Sequence, residues 1–332
     1  MKRKHWILLI LLFVGVAFIF YQQKTAPYKH CEGKIFGTYY HVTYQSNEDL
    51  SSEILKALNS VDSSLSMFNG KSTISKINRG ENPDVDGLFE FLFPRSQKIS
   101  EITHGAFDIT VAPLVNAWGF GFKEDKWPNV QTVDSIKQFV GYKKVRLNGL
   151  KIEKDDPRIM IDMSAIAKGY GSDVVAYALE KVKVRNFMVE IGGEIVTKGK
   201  NEKGENWKIG VSKPTDNPDG QKEYQCILQL TDCGMATSGN YRNFYYKDGV
   251  KYAHTIDPVT GRPVQQDIIS ATIIAPHCYE ADAYATACMV MGLEKAKKVL
   301  SKEKHLEAYL ICNKGGKQEV WMTEGFDKHI AN

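Results

Sequence analysis

A basic tip, Lys2-Arg3-Lys4, runs straight into an apolar stretch from Trp6 to Tyr21. This pairing divides the chain before any element is assigned. The stretch is 16 residues long, just short of the roughly 17–25 of a membrane-spanning helix. Cationic residues ahead of such a run mark an export signal. Two readings stay open: a cleaved signal peptide with Gly15-Val16-Ala17 as a small-x-small site, and a retained anchor with Trp6 and Tyr21 at the two interfaces. The anchor is favoured, because no good cleavage site follows the run. Either way Lys2, Arg3 and Lys4 stay cytoplasmic and the chain beyond about residue 25 lies outside. The expected layout is a signal or anchor over 1–21, a polar tether with Pro27 over 22–33, and a catalytic body over 34–330. An inner-membrane anchored bacterial protein facing the periplasm or the cell exterior is the expected setting.

The body has to be globular. Hydrophobic residues make up 43% and charged residues 25%, ordinary proportions that exclude a disordered chain, a collagen-like repeat and a multi-span membrane protein. The net charge of +4 comes from 43 basic and 39 acidic residues. Three of the basic residues are in the tip, so the body is nearly neutral and is not expected to bind nucleic acid. The cysteines at 31, 226, 233, 278, 288 and 312 show neither a CxxC nor a zinc spacing. Cys31 follows Tyr28-Lys29-His30 rather than small apolar residues, which argues against lipid attachment, and Cys288 falls in an apolar helical stretch of core character.

No linker or repeat interrupts the body, which predicts one domain, possibly of two lobes. Tyr39 to Tyr44 alternates as a strand, and Leu50 to Leu65 carries Ile54, Leu58, Val61 and Leu65 at helical spacing. Phe89 to Ile102 and Ser164 to Lys181 read as further helices, Ile159 to Asp162 as a buried strand, and Phe187 to Ile191 as a strand ending at Gly192-Gly193. Strands near 207–212, 225–231, 243–247, 268–275 and 307–312 and a helix from about Tyr279 to Leu300 complete the pattern. Runs of strands with a few long helices predict an α+β fold.

Four segments carry candidate chemistry. In Gly105 to Thr110, continuing to Trp118-Gly119-Phe120-Gly121, glycines around aromatics suit backbone passing close to a flat ligand, or a tightly turned core loop. In Asp162 to Tyr170 a carboxylate ends a strand, Ser164 is placed as an N-cap, and Lys168 follows one turn in. A helix start attracts phosphate, although an ordinary capped helix has the same signature. His254 enters the turn Asp257-Pro258-Val259-Thr260-Gly261, as a general base or as a hydrogen-bonded structural residue. Asp282 and Thr286 are i and i+4 on one helical face among alanines. They form a hard-oxygen pair suited to Mg2+, or else a plain polar face. Gly192-Gly193-Glu194 and Ser238-Gly239-Asn240-Tyr241-Arg242 are weaker small-residue turns beside polar groups.

Taken in order, these segments resemble the ApbE family, the FAD:protein FMN transferases, over roughly 34–312. The resemblance rests on Gly37-Thr38-Tyr39, Met67-Phe68, Ser72 to Asn78, Gly105 to Thr110, Trp118 to Gly121 and Asp162 to Gly169. It continues through Glu190 to Glu194, Thr237 to Arg242, His254 to Pro263 and Ala281 to Thr286. It implies a T-fold-like α+β enzyme that uses Mg2+ and FAD. The enzyme would move FMN from FAD onto a threonine or serine hydroxyl of a partner flavoprotein, releasing AMP. By the family pattern, Asp282, Thr286 and the Ala165 carbonyl would hold the metal and His254 would be the base. Phe36, Phe68, Ala106, Phe107, Asp108, Asp162, Lys168 and Ile256 would contact the FAD. Phe68 stands where the family often has tyrosine, which keeps a stacking face and loses a hydroxyl. Phe36 replaces a frequent methionine. The same residues would also serve an FAD pyrophosphatase yielding FMN and AMP, or a non-catalytic anchored flavin-binding protein.

Overall fold

The two-residue turn Phe36-Gly37, with φ of 52° and 74°, folds the chain into a hairpin of β1 (Tyr28–Ile35) and β2 (Thr38–Gln45). Left-handed φ at both turn positions matches the twist of paired strands. Six more strands extend this hairpin: β3 (Phe187–Ile191), β4 (Glu194–Lys198), β5 (Cys233–Gly239), β6 (Ile268–Ala275), β7 (Glu307–Lys314) and β8 (Lys317–Met322). Each lies antiparallel beside its neighbour in chain order, β1 through β8. The computed structural model describes residues 5, 6, 9, 12, 13, 26–121, 127–214, 223–240, 244–247 and 250–331. One sheet runs through the whole described body, so the two-lobed arrangement is not observed. The tether is also shorter than expected, because residues 28–33 belong to β1.

Four long helices cover one face of the sheet: α1 (Ser51–Leu65), α2 (Gly87–Ile102), α3 (Ala167–Lys181) and α4 (Cys278–Met291). The hairpin Trp207–Ser212 with Tyr224–Leu230 covers part of the other face. Strand periodicity separates the two cores. Ala236, Ile273 and Leu310 point to the helices, while Met235, Ile274 and Ile311 point to the hairpin. In α1 the predicted stripe Ile54, Leu58, Val61 and Leu65 is fully buried. Helix α2 begins two residues earlier than predicted, where the Asp86 carboxylate accepts from the backbone of Leu88 and Phe89.

Three expectations need correction. Ile159 to Asp162 joins no sheet, although Ile159 and Ile161 are fully buried. The side-chain amide of Asn78 takes the place of a partner strand, accepting from Ile161 N at 2.8 Å and donating to Ile161 O at 2.8 Å. Helix α3 starts at Ala167, not Ser164, and Ile166 at its N-cap supplies no side-chain acceptor. The long C-terminal helix breaks at Gly292, φ 72°, into α4 and a short helix Leu293–Leu300. All six cysteines are free thiols, and Cys288 is fully buried as predicted.

The apolar segment 6–21 and residues 22–25 of the tether lie almost wholly outside the described residues, as do Tyr241 and Arg242. Among the described residues no helix is long and apolar enough to cross a membrane.

Candidate active site

Helices α3 and α4 cross at Gly169. A Cβ there would lie 2.4 Å from the carbonyl oxygen of Cys278 and 2.8 Å from Cβ of Asp282, so only glycine lets the two backbones approach. Neither helix has a cap of its own, since Ile166 and His277 at the N-cap positions make no side-chain cap bond. They cap each other. Asp173 on α3 accepts from the N–H groups of Cys278 and Tyr279, both at 2.9 Å. Asp282 on α4 accepts from Gly169 N–H through Oδ2 at 3.0 Å. Gly169 and Asp173 are one turn apart, as are Cys278 and Asp282, so one face of each helix carries both a donor and an acceptor.

This crossing forms the floor of a cavity of about 530 Å³, within the range of small-molecule and cofactor sites. All twelve predicted site residues line it: Phe36, Phe68, Ala106, Phe107, Asp108, Asp162, Ala165, Lys168, His254, Ile256, Asp282 and Thr286. They come from both ends of the chain. The β1–β2 turn brings Phe36, which packs against the helix backbone at Gly171. The loop after α1 brings Phe68, whose ring is 69% exposed. His254 follows the strand Val250–Ala253, and Ile256 opens the small ladder Ile256–Asp257 with Arg262–Pro263. That turn is locked by Asp257, which accepts from Val259 N and Thr260 Oγ1, and by Trp118, whose indole donates to Gly261 O at 2.7 Å.

The carboxylates do different work. Asp108 is buried and accepts from Thr110 N, Thr110 Oγ1 and Tyr142 N at 2.6–2.8 Å. It borders the cavity, but its oxygens hold the loop to residues 141–142. Burial raises its pKa against these bonds. Asp162 accepts from Ser164 N at 2.7 Å and is raised by burial too. Ser164 is therefore a donor to Asp162 rather than a helix cap. Lys168 Nζ lies 2.5 Å from Glu194 Oε1. Burial alone would push the lysine pKa down, and the charges of Asp282 and Glu194 overcome it and hold it above its ordinary value. Burial raises Asp282 as well, opposed by Lys168 and by the Gly169 bond.

Among the described residues no group of three or more His, Cys, Asp and Glu side chains could hold a metal. The expected Mg2+ set has a different composition, one carboxylate, one hydroxyl and one backbone carbonyl, and the local backbone suits it. Gly169 N–H, which in an uninterrupted helix would donate to Ala165 O, donates to Asp282 instead. The Ala165 carbonyl is thereby left out of the helical ladder on the cavity wall. Thr286 Oγ1, 3.3 Å from Ser238 Oγ, lies one turn beyond Asp282. The donors are all oxygen, as Mg2+ requires.

Sequence reasoning gave Glu194 little weight, held Asn78 only as the end of the segment Ser72 to Asn78 with no role of its own, and passed over Asp173. A carboxylate directly after the Gly192-Gly193 turn was the available signal for Glu194. Asp173 had only its spacing of four from Gly169, and nothing local marked the bonds that Asn78 makes to Ile161.

Comparison with known proteins identifies the family. Residues 36–310 match the ApbE family pattern. The chain is 36% identical over 306 residues to the FAD:protein FMN transferase of Haemophilus influenzae, covering 87% of this chain and 88% of that one. It is 32% identical to the FAD:protein FMN transferase of Escherichia coli K12, covering 97% of each. Its fold superposes on the flavin transferase ApbE from Vibrio cholerae with a TM-score of 0.84 at 33% identity, covering 92% of this chain and 99% of that one. With its sequence and fold matching over most of its length, the chain belongs to the ApbE family.

Proposed function

We propose that this chain is an FAD:protein FMN transferase that uses Mg2+ and moves FMN onto a threonine or serine hydroxyl of a partner flavoprotein. The observation that carries the reading is the convergence of twelve residues, from position 36 to position 286, on one cavity. The hydroxyl oxygen of the acceptor attacks the phosphorus of the FMN half of FAD. The bond to the bridging oxygen breaks, and AMP leaves with that oxygen. His254 receives the hydroxyl proton, a contribution of roughly 10²–10⁴-fold in rate. Lys168 faces the phosphates, and Phe68 and Phe36 offer apolar faces to the rings. Asp282, Thr286 and the Ala165 carbonyl would hold Mg2+, which supplies charge neutralisation for the departing phosphate. Phosphoryl transfer depends chiefly on such positioning and electrostatics, which this wall provides.

The N-terminal segment is proposed as an export signal or retained anchor, with the catalytic body outside the cytoplasm. Trp6, Leu9, Leu12 and Phe13 are all exposed rather than packed into the body, which supports this reading.

The test is incubation with FAD and Mg2+, with and without a flavoprotein acceptor domain, followed by intact-mass measurement of the acceptor. A mass gain of one FMN that disappears in His254→Ala, with FAD binding retained, is expected. Rapid release of FMN and AMP with no acceptor labelling would replace transfer by hydrolysis. Turnover unchanged in His254→Ala would remove the base from the scheme.

A further inference from the structure

We propose that Glu194 is a positioning residue for Lys168, holding its ammonium toward the cavity and apart from Asp282. The inference rests on the proposed function, since the ligand it serves is the pyrophosphate of FAD. Glu194 opens β4 directly after the Gly192-Gly193 turn, and its side chain is 6% exposed. Its Oε1 lies 2.5 Å from Lys168 Nζ. Its Oε2 is buried and has no hydrogen-bond partner among the described residues.

That pattern sets Glu194 apart from three other carboxylates buried around the helix crossing and the cavity. Asp108 accepts three bonds from Thr110 and Tyr142, Asp173 caps α4, and Asp282 caps α3. Each of these ties backbone to backbone. Glu194 has Lys168 as its side-chain partner and leaves an oxygen unsatisfied, at a desolvation cost that a purely structural residue would avoid. Lysine is a compact charge on a flexible stem, and here it sits in the field of two carboxylates. Without Glu194 the ammonium turns to Asp282. It is then withdrawn from the phosphates, and it competes with the cation for the carboxylate.

Simple electrostatics predicts the opposite outcome. Removing a negative charge beside an anion site strengthens anion binding, whereas removing the group that aims the lysine weakens it. The two accounts differ in sign.

The experiment measures FAD affinity by flavin fluorescence in the full chain, with EDTA and without acceptor. The variants are Glu194→Gln, which keeps the side-chain volume, Glu194→Asp, which keeps the charge but shortens the reach, Lys168→Met, and the Gln/Met double variant. Glu194→Gln is expected to weaken FAD binding about tenfold, in line with a charge-assisted bond, and Glu194→Asp less than that. The double variant should bind no more weakly than Lys168→Met alone, because Glu194 acts through Lys168. Calorimetric titration with Mg2+ alone provides a second readout. Mg2+ binding should weaken in Glu194→Gln and recover in the double variant, where no ammonium competes for Asp282. Binding of FAD by Glu194→Gln as tight as in the wild type, or additive losses in the double variant, would overturn the inference. A wild-type chain that binds FAD neither in EDTA nor with Mg2+ would instead refute the proposed function, a result recognisable before any variant is made.

Discussion

A methyl group on Gly169 would test whether the helix crossing sets the site. The added Cβ would sit 2.4 Å from Cys278 O and 2.8 Å from Cβ of Asp282. An ordinary contact starts near 3.4 Å, so α3 and α4 have to part by about 1 Å. Overpacking of this kind costs about 1–3 kcal/mol, and the nearest atom belongs to backbone that has no rotamer to escape into, which points to the upper half of that range. Alanine regains about 0.5–1 kcal/mol over glycine in a helix. The net expectation for Gly169→Ala is a loss of about 1–2 kcal/mol, read from the urea midpoint at constant slope. The functional loss is expected to be larger. The Gly169 bond to Asp282 stretches, and Lys168 and Asp282 move apart across the cavity floor. A misplacement of about 1 Å costs on the order of 10²-fold in rate, so kcat for FMN transfer should fall by about that factor while the fold persists. A variant more stable than the wild type and within twofold of its kcat/KM would show that the close approach at Gly169 does not control the site.

Asn78→Ala removes both bonds to Ile161 and leaves its N–H and C=O without their partner; a loss of about 2–4 kcal/mol in urea unfolding is expected, and a loss under 1 kcal/mol would show that water or a neighbour replaces the amide. Burial pushes Asp173 up to about 7, from an ordinary value of 3.8. The native state therefore holds a proton that the unfolded chain has already lost, and this contribution is fully present below about pH 4 and is lost as pH rises through 7. Asp173→Asn should flatten the fall in Tm between pH 4 and 7, and an unchanged or steeper fall would refute the assignment. Phe68→Ala, at an exposed position, should leave stability within about 0.5 kcal/mol yet weaken FAD binding at least about fivefold through lost stacking; an unchanged Kd would mean that the ring does not touch the ligand.

Where the periodicity was local, the elements were legible. The stripe of α1, the strand Phe187–Ile191 and the turn around Asp257 follow from neighbouring residues alone. Strand β5, Cys-Gly-Met-Ala-Thr-Ser-Gly, has Thr237 as its single β-branched residue and no aromatic, so the residues that mark strands are nearly missing. It escaped notice, although it lies between β4 and β6 in the sheet, where tertiary pairing decides its conformation. The start of α3 was misplaced because its capping group comes from α4, more than a hundred residues away. Sequence separations of 105 and 83 residues hid Asp173 and the Asn78 brace. Asp162, Lys168, His254, Asp282 and Thr286 stood out in the sequence itself, family resemblance added the other site positions, and the fold brings all twelve to a common wall. The pairing of Lys168 with Glu194 could be seen only in three dimensions.

The cavity wall draws on an early part of the chain, residues 36–168, on Gly192, Glu194 and Thr237–Gly239 from the middle strands, and on a late part, residues 254–290. No part encloses the space alone, and the antiparallel sheet joins early and late parts through β3 to β6. The site is therefore a long-range object that comes into being when the chain is nearly finished. FAD cannot stabilise a partly folded N-terminal half, so it cannot act as a template early in folding. Once bound, it links regions far apart in sequence and stabilises them together by mass action. Hydrogen exchange should then slow in step at Ile159–Ala165 and along α4 when FAD is added, so that occupancy reports a chain that has closed on itself.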